Sequence, residues 1–456
     1  MKKIVKKLLL MLCAVICMSA LSAQAFADDQ TAGSDVVYCE SLEEAGAALR
    51  AQLKARQEVC VVGYLGDNAP AEADIWNQAL AHTGVPDEGD YLKSCIKYQA
   101  HYANDGFTDG YIDFQYEINV SSVTEDGLIY TTYTYTVTYR TTAEQEREVD
   151  EAAAEVLKRI RTDCEANTLL DIFNYICNIP YDSYHLNNDA DYEYEQTAYG
   201  ALIRGSAVCE GFSALFYRLA LECGIETRLV YGAMPTWSTS AGHAWNMVRV
   251  GDKYYTLDAT NGIYMITFTE EYEIWSSANE EGFESSHPLS ETPYKPVIDY
   301  SFDSETGILT IRDQALPDVY YRNIYVGEDK NTYPWSDEIR LGTKSVVFEK
   351  ELTGIGTGIF ENFISLETVS VPETVTYIGD RAFYQCASAD IQVPENLELT
   401  YLGAQAFYNC TDLADFPLEK QTNLTEIKEE TFSGTGLQTV TIPENIENIG
   451  QSAFSR

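Results

Sequence analysis

Basic side chains are scarce in this 456-residue sequence, which has 30 Lys and Arg against 71 Asp and Glu and a formal net charge of −41. Most surfaces of such a chain would repel nucleic acids and anionic membranes, so we expect no nucleic-acid partner. Hydrophobic residues nevertheless make up 45% of the sequence and charged residues only 22%. This balance is typical of a folded globular protein, and the length allows about two to four domains.

Metal-binding residues are also few and scattered. The chain has five histidines and eleven cysteines, with no Cys-x-x-Cys pair and no histidine at ligand spacing from a cysteine. Zinc sites normally show such spacings, so we predict no metal site. Nine of the cysteines lie after residue 27. That number is too low for a disulfide scaffold, and because it is odd, at least one thiol is expected to stay unpaired.

Long apolar runs are missing beyond the N-terminus. Residues 1–27 carry four lysines among the first seven residues, continue through an apolar run from Leu8 to Leu21 and end at Ala27 in a small-x-small pattern. This order predicts a secretory signal peptide that is cleaved after Ala27. Because the run is shorter than the roughly 20 apolar residues of a spanning helix, we expect a secreted or cell-surface protein without a membrane span.

Phenylalanines recur every 22 to 25 residues in the last part of the chain. They are Phe360, Phe383, Phe407, Phe432 and Phe454. Most units also carry a short apolar strand, such as Val369 to Val371. A period of this length with one strand per unit predicts a leucine-rich-repeat solenoid over residues 346–456, in which stacking buries the apolar faces. Cys386 and Cys410 occupy equivalent positions in two units, and we expect them to be stacked, buried thiols.

The repeats resemble a known type of array, and two further regions precede them in the chain. The repeat units resemble the BspA-like leucine-rich repeats of bacterial surface proteins, in segments such as IGDRAFYQC from Ile378. The resemblance implies an array that binds a cell-wall or host protein ligand. Residues 293–345 are interpreted as a β-rich lead-in to the array. Residues 28–140 are predicted to form an α/β region, with a capped helix after Ser41 and alternating strands from Tyr111 to Arg140.

Cys209 is predicted to begin an amphipathic helix that Gly224 ends. The apolar positions at helical spacing are Phe212, Leu215, Phe216 and Leu219. A thiol in the first turn lies at the positive end of the helix dipole, which lowers its pKa and favours the nucleophilic thiolate. The backbone N–H groups there can also stabilise an oxyanion. Taken alone, a cysteine at a helix start is more often a packing residue.

Two alternating runs on either side of residues 251–252 predict a β-hairpin with a Gly-Asp turn. A two-residue turn pairs Val250 with Lys253 and makes His243 and Asp258 diagonal neighbours on the same face. The backbones of such neighbours lie about 7 to 8 Å apart across the two strands. The hairpin therefore brings a carboxylate close enough to hold an imidazole.

A thiol, an imidazole and a carboxylate in this order supply the groups that nucleophilic acyl transfer requires. We predict that Cys209 attacks, that His243 takes and returns the proton, and that Asp258 fixes the tautomer of the imidazole. Thiolate chemistry needs no cofactor, so none is predicted. Each residue alone would be interpreted as ordinary packing or turn chemistry, and only the combination favours a catalytic site.

These segments resemble the transglutaminase-like superfamily, whose members are related to papain-type cysteine peptidases, over about residues 141–266. The matching segments are TAYGAL from Thr197, VCEGF from Val208, HAWN from His243 and YYTLDAT from Tyr254. The resemblance implies an α+β core in which a cysteine-bearing helix packs on an antiparallel sheet, with Cys209, His243 and Asp258 as the catalytic residues. Many relatives place Trp after the Asp-Ala-Thr, where this chain has Asn261. Tyr199 is a candidate for the side-chain oxyanion donor.

Two functions of different classes follow from the sequence. The first is a secreted thiol-dependent enzyme that acts on peptide or isopeptide amides, either as a peptidase or as a transglutaminase-like cross-linker, with the repeats as a binding arm. The second is a surface adhesion protein whose transglutaminase-like domain is inert. The predicted domains are residues 1–27 (signal peptide), 28–140 (α/β region), 141–292 (transglutaminase-like domain), 293–345 (lead-in) and 346–456 (repeats).

Overall fold

The computed structural model describes ten segments of the chain, which together have the predicted α+β composition. They are residues 36–81, 89–101, 111–182, 192–235, 240–266, 273–274, 286–292, 294–322, 329–331 and 334–456. The predicted signal peptide, residues 1–27, lies outside these segments. No helix within them is long and apolar enough to cross a membrane.

A four-stranded sheet covered by helices forms the N-terminal region. The elements are β1 (Tyr38–Cys39), α1 (Leu42–Lys54), β2 (Val59–Leu65), α2 (Glu72–Leu80), α3 (Gly89–Cys95), β3 (Tyr98–His101), β4 (Tyr111–Phe114), β5 (Tyr116–Glu125) and β6 (Leu128–Val137). The sheet order is β1-β2-β6-β5, and β3 pairs separately with β4. The Ser41 side chain caps α1 by accepting a hydrogen bond from the Glu44 N–H. Alternate residues of β6, including Tyr133 and Tyr135, are buried with α1 and α2. The capped helix and the alternation of β6 are thus confirmed, whereas the alternating run from Tyr111 is divided at Gln115 into β4 and β5, which pair with different strands, and most of β5 is exposed.

A helix that begins at Cys209 packs on an antiparallel sheet in the central region. The elements are α4 (Ala143–Leu157), α5 (Glu165–Cys177), α6 (Tyr192–Glu195), a π-helical turn (Gly200–Arg204), α7 (Cys209–Glu222), β7 (Thr227–Pro235), β8 (Ser240–Val250), β9 (Lys253–Asp258), β10 (Ile263–Ile266) and β11 (Glu273–Ile274). The strand order is β10-β9-β8-β7-β11, and every neighbouring pair is antiparallel. The apolar face of α7 is buried with α5, β7 and β8. The helix ends at Glu222, and Gly224, the predicted stop, lies just beyond the C-cap with a left-handed φ of 72°.

A buried ion pair joins the N-terminal region to this sheet. Asp90 of α3 is 2% exposed and accepts hydrogen bonds from Arg228 Nε at 2.7 Å and from the main-chain N–H of Leu229 at 3.1 Å. Arg228 is equally buried and donates from Nη1 to His287 Nε2 at 2.7 Å. Because buried charges are tolerated only when they are paired and hydrogen-bonded, this cluster holds α3 against β7.

Short strands stack at the predicted period in the C-terminal region. The elements are β12 (Tyr300–Asp303), β13 (Ile308–Ile311), β14 (Tyr320–Arg322), β15 (Asp329–Asn331), α8 (Asp337–Gly342), β16 (Ser345–Phe348), β17 (Gly354–Ile355), β18 (Thr368–Ser370), β19 (Tyr377–Ile378), β20 (Asp390–Gln392), β21 (Tyr401–Leu402), a 3₁₀ turn (Leu418–Lys420), β22 (Glu426–Ile427) and β23 (Asn448–Ile449). Two ladders follow the repeats, β13-β16-β18-β20 and β17-β19-β21, and both are parallel.

The five repeated phenylalanines form one stack along the array. Neighbouring ring centroids are 5.4 to 5.7 Å apart, with the rings nearly parallel. Cys386 and Cys410 are fully buried, and their thiols donate to the carbonyl oxygens of Phe360 and Phe383 in the preceding units. The two thiols therefore serve packing, as the sequence indicates.

Arg161 connects the central region to the repeats. Its guanidinium donates to Asp171 within the central region and to Asp318 near the first repeats, at 2.5 and 2.6 Å. The same group lies 4.3 Å from the ring centre of Tyr377. A cleft of about 730 Å³ beside these residues is lined by both regions. Direct side-chain contacts, as well as chain connectivity, therefore attach the array to the central region. The predicted domain boundaries themselves stay predictions.

Candidate active site

Cys209 is the first residue of α7 and is half-buried. The residue before it, Val208, has extended backbone angles and no side-chain group that could cap the helix. A Ser, Thr or Asp at this position would hydrogen-bond to the N–H groups of the first turn. Because Val208 does not engage these N–H groups through its side chain, their partial positive charge can act on a thiolate or on an oxyanion beside it.

Gly211 permits the close packing that holds this helix start. A Cβ at Gly211 would lie 2.4 Å from the carbonyl oxygen of Glu195 and 2.8 Å from the Ala207 Cβ. Both contacts are shorter than side chains tolerate, and the first of them is to backbone. The Cys-Glu-Gly order of the motif thus has a steric reason, because only glycine lets the 195–207 segment lie directly against the first turn.

His243 lies on β8, opposite Gly232 of β7, and its side chain is 8% exposed. The β8–β9 hairpin has the predicted register, with Val250 paired to Lys253. The imidazole stacks on the indole of Trp245 with the centroids 5.8 Å apart. Its Nε2 donates to Asp258 Oδ2 at 2.7 Å. The structure therefore brings the imidazole and the carboxylate together as the hairpin predicts.

Asp258 is 1% exposed, and its carboxylate accepts hydrogen bonds from the residues that follow it and from His243. The main-chain N–H groups of Thr260 and Asn261 donate to Oδ1 at 3.0 and 3.2 Å. Oδ2 accepts from His243 and, at 2.7 Å, from the side-chain amide of Asn261. Burial alone would raise the pKa of Asp258, but the charge of His243 and these hydrogen bonds keep it below its usual value. The carboxylate is therefore ionised at neutral pH.

The same contacts set the charge of His243. Burial lowers the pKa of His243, but the charge and hydrogen bond of Asp258, with a further hydrogen bond and charge from Cys209, raise the pKa to about 10. Because Nε2 is engaged by Asp258, Nδ1 is the ring nitrogen available to the thiol. The arrangement favours an imidazolium next to the sulfur, which is the partner that stabilises a thiolate.

Tyr199, the candidate oxyanion donor, lies just before the π-helical turn. Its ring packs on Tyr194 with the centroids 5.9 Å apart. Among the contacts that the structure describes for Tyr199, none reaches Cys209. The side-chain donor therefore stays a prediction.

Two polar groups near the site escaped the sequence reasoning. Glu210, next to the thiol, is 3% exposed and accepts hydrogen bonds from Arg140 Nη1 at 2.6 Å and from the Tyr231 hydroxyl at 2.8 Å. A glutamate in the first turn of a helix is ordinarily a surface residue, so nothing in the local sequence signals this burial. Asn261 was noted only because it replaces a tryptophan. Its position two residues after the Ala of Asp-Ala-Thr-Asn-Gly, a turn-forming sequence, was the available signal.

Eight other cysteines lie in the described segments. Burial raises the pKa of each of their thiols, to about 12 for Cys95, Cys164, Cys177 and Cys386. The remaining four thiols with a raised pKa are Cys39, Cys60, Cys223 and Cys410. None of the nine described cysteines forms a disulfide. No three His, Cys, Asp or Glu side chains of the described segments converge as metal ligands.

Two family models match the chain. Residues 150–259 match the transglutaminase-like superfamily, and residues 340–456 match the BspA type leucine rich repeat region in six copies. The chain therefore contains a transglutaminase-like domain followed by BspA-type leucine-rich repeats, as the sequence predicts. No curated protein matches it.

Several solved structures align with parts of the chain. A TGase is 15% identical, with a TM-score of 0.25, and the alignment covers 48% of this chain and 59% of that one. A proposed cysteine protease from Cytophaga hutchinsonii is 16% identical over 40% of this chain and 68% of its own, with a TM-score of 0.24. A leucine rich cell surface protein from Faecalibacterium prausnitzii A2-165 is 21% identical over 36% and 53%, with a TM-score of 0.23. The chain thus spans less than two thirds of the length of the TGase.

Proposed function

We propose that this chain, which combines a transglutaminase-like domain with BspA-type repeats, is a secreted enzyme that transfers acyl groups from peptide or isopeptide amides through a thiol. Cys209 is the nucleophile, His243 carries the proton and Asp258 orients the imidazole. The main support is the 2.7 Å contact between His243 Nε2 and Asp258 Oδ2, together with a half-buried thiol at a helix start. An inert scaffold does not require a thiol, an imidazole and a carboxylate together at one place.

The first half of the reaction forms a thioester. The Cys209 thiolate attacks the carbonyl carbon, and the electron pair of the C=O bond moves to oxygen, where first-turn N–H groups stabilise the charge. The electron pair then returns, the C–N bond breaks, and His243 Nδ1–H gives its proton to the leaving nitrogen. The products are a free amine and an acyl group on the cysteine sulfur.

The second half removes the acyl group. Neutral His243 takes a proton from water or from an amine, and the deprotonated oxygen or nitrogen attacks the thioester carbon. The C–S bond breaks, and the sulfur leaves as the thiolate that pairs again with the imidazolium. Water as acceptor makes the protein a peptidase, which we propose as the main activity, whereas an amine acceptor makes a cross-link.

The repeats and the leader give this activity a place and a partner in the proposal. Leucine-rich repeats present extended surfaces that commonly bind proteins, and Arg161 attaches the array to the transglutaminase-like domain through Asp318. We propose that the array binds a cell-wall or host protein near the active site. The signal sequence in residues 1–27 supports secretion or display at the cell surface.

Incubation of the wild type and Cys209→Ala with cell-wall peptides and a protein mixture tests the activity. Mass spectrometry then scores new termini, which report cleavage, and mass-shifted peptide pairs, which report cross-links. We expect new termini with the wild type and none above background with Cys209→Ala. Cys223→Ala is the matched control, because Cys223 lies at the opposite end of the same helix, and it should behave as the wild type.

Alkylation separates an inert domain from an enzyme whose substrate is absent from the mixture. Iodoacetamide should modify Cys209 faster than the eight thiols with raised pKa, and at a pH well below the free cysteine value of about 8.5. If Cys209 reacts no faster than a thiol of the unfolded chain, the enzyme proposal is wrong. The adhesion protein with an inert transglutaminase-like domain would then be the favoured function.

A further inference from the structure

We propose that Asn261 is a positioning residue of this site, whose side-chain amide holds the Asp258 carboxylate in the orientation that directs it at His243. The inference rests on the proposed function and adds a residue to it. Asn261 stands where many relatives have tryptophan, so the family pattern does not supply this role. The geometry of the turn after β9 does.

Asn261 contacts both oxygens of the Asp258 carboxylate. Its side-chain Nδ2 donates to Oδ2 at 2.7 Å, and its main-chain N–H donates to Oδ1 at 3.2 Å. The same Nδ2 lies 3.3 Å from His243 Nε2. Since both nitrogens carry hydrogens when they serve Asp258, they do not bond to each other but converge on one oxygen. Asn261 and His243 thus donate to the same oxygen of Asp258, and this oxygen orients the imidazole.

The backbone turn fixes Asn261 in this position. The chain leaves β9 at Asp258, reverses through residues 259–262 and returns in β10, where Ile263 pairs with Asp258 itself. Gly262 adopts φ of 61°, which few other residues would allow. Thr260 and Asn261 both donate their main-chain N–H groups to Oδ1. A carboxylate at the centre of its own turn has little freedom to rotate, and the amide of Asn261 holds the oxygen that faces the imidazole.

Loss of this amide has a predictable chemical consequence. The ionised form of Asp258 would lose the side-chain donor of Asn261, and a buried carboxylate with fewer donors is easier to protonate. A carboxylate that is held less firmly would also stabilise the protonated form of His243 less, so the imidazolium beside Cys209 would lose its proton at a lower pH than in the wild type. At neutral pH a larger share of the pair would then be neutral thiol and neutral imidazole, which iodoacetamide modifies slowly. A merely structural asparagine would alter the folded fraction without moving this titration.

The test measures the rate of iodoacetamide alkylation of Cys209 against pH in the wild type, Asn261→Leu and Asn261→Ala. Leucine keeps nearly the shape of asparagine but has no donor, and alanine removes the side chain. We expect the alkylation rate near neutral pH to fall by up to about tenfold in both variants, which is the factor for one pKa unit, and to approach the wild-type rate above the free thiol pKa, where the thiolate no longer depends on the imidazolium. Asn174→Ala, which removes an exposed asparagine of α5, should match the wild type.

The outcomes distinguish a failure of the Asn261 proposal from a failure of the enzyme proposal. Circular dichroism and thermal melting establish which variants are folded, and alanine decides the case if leucine disrupts the turn. If the wild type shows the low-pH reactivity and both folded variants superimpose on it, Asn261 is not a positioning residue and the enzyme proposal stands. If the wild type itself lacks that reactivity, the enzyme proposal fails first. Once a substrate is known, kcat should fall about 10- to 100-fold in Asn261→Leu with little change in KM.

Discussion

The repeats and the transglutaminase-like domain use the same side chains in opposite ways. In the array, Cys386 and Cys410 lie one unit apart and make the same contact, each donating to a carbonyl oxygen of the preceding unit. In the domain, Cys209 lies half-buried at a helix start next to His243. Both settings contain a thiol, but only the second places an imidazole beside it that would stabilise the charge of the thiolate. The comparison shows that the neighbours of a cysteine decide whether its thiol serves packing or chemistry.

Polar contacts differ in the same way. Along the array, Arg381 contacts Glu361 and Gln405 of the adjoining units, so that each contact spans one repeat. At the transglutaminase-like domain, Arg140 of the preceding region reaches Glu210 across 70 residues of sequence. The contacts of Arg381 therefore join neighbouring repeats, whereas the contact of Arg140 joins segments that are far apart in the sequence.

The largest expected effect is that of His243→Ala on activity. Without the imidazole, no group beside Cys209 can accept the thiol proton or give one to the leaving amine, so we expect turnover to fall about 1,000-fold or more. Cleavage or cross-linking of the substrate identified by mass spectrometry measures this. The melting of the array should be unchanged, because its phenylalanine stack lies in a separate buried cluster. Unchanged turnover would remove His243 from the mechanism.

The next effect concerns Arg140 and the free energy of unfolding. Its side chain is 4% exposed, and Arg140→Ala would leave the Glu210 carboxylate buried without its cation, which typically costs about 3 to 5 kcal/mol. Arg147 of α4 is the matched control, since it also pairs with glutamates but is 53% exposed. Arg147→Ala should cost at most about 1 kcal/mol. Urea unfolding of both variants measures the difference, and equal destabilisation would mean that burial is not what makes the Arg140 contact strong.

The contacts that sequence reasoning predicted are those that a short rule determines. A two-residue turn leaves one register for the β8–β9 hairpin, so the approach of His243 to Asp258 could be predicted without coordinates. The repeat period likewise determines that five phenylalanines stack. In both cases the partners are related by a fixed offset along the chain.

The contacts that sequence reasoning missed obey no such offset. Asp90 and Arg228 are 138 residues apart, and neither position shows that it is buried until the two regions pack. Asn261 is close in sequence to Asp258, but its role depends on the side chain turning back toward the carboxylate. The candidate catalytic residues could be located from the sequence because motifs that contain Cys, His and Asp in that order are rare. The groups that hold it in place could not, because acids, arginines and amides are common everywhere.

The smallest expected effect belongs to the array. Phe407→Leu removes part of a fully buried ring whose centroid lies 5.6 Å from Phe383 and 5.7 Å from Phe432. We expect a loss of about 1 to 2 kcal/mol in the unfolding of the array, because the units above and below close only part of the cavity. The rate of Cys209 alkylation should not change, since each repeat contacts mainly its neighbours and the site lies in another cluster. Iodoacetamide labelling and thermal melting of the same sample measure both quantities. Slower alkylation at a temperature where the array is still folded would mean that the array supports the active site through the Arg161 contact, and the two regions would then have to be treated as one unit.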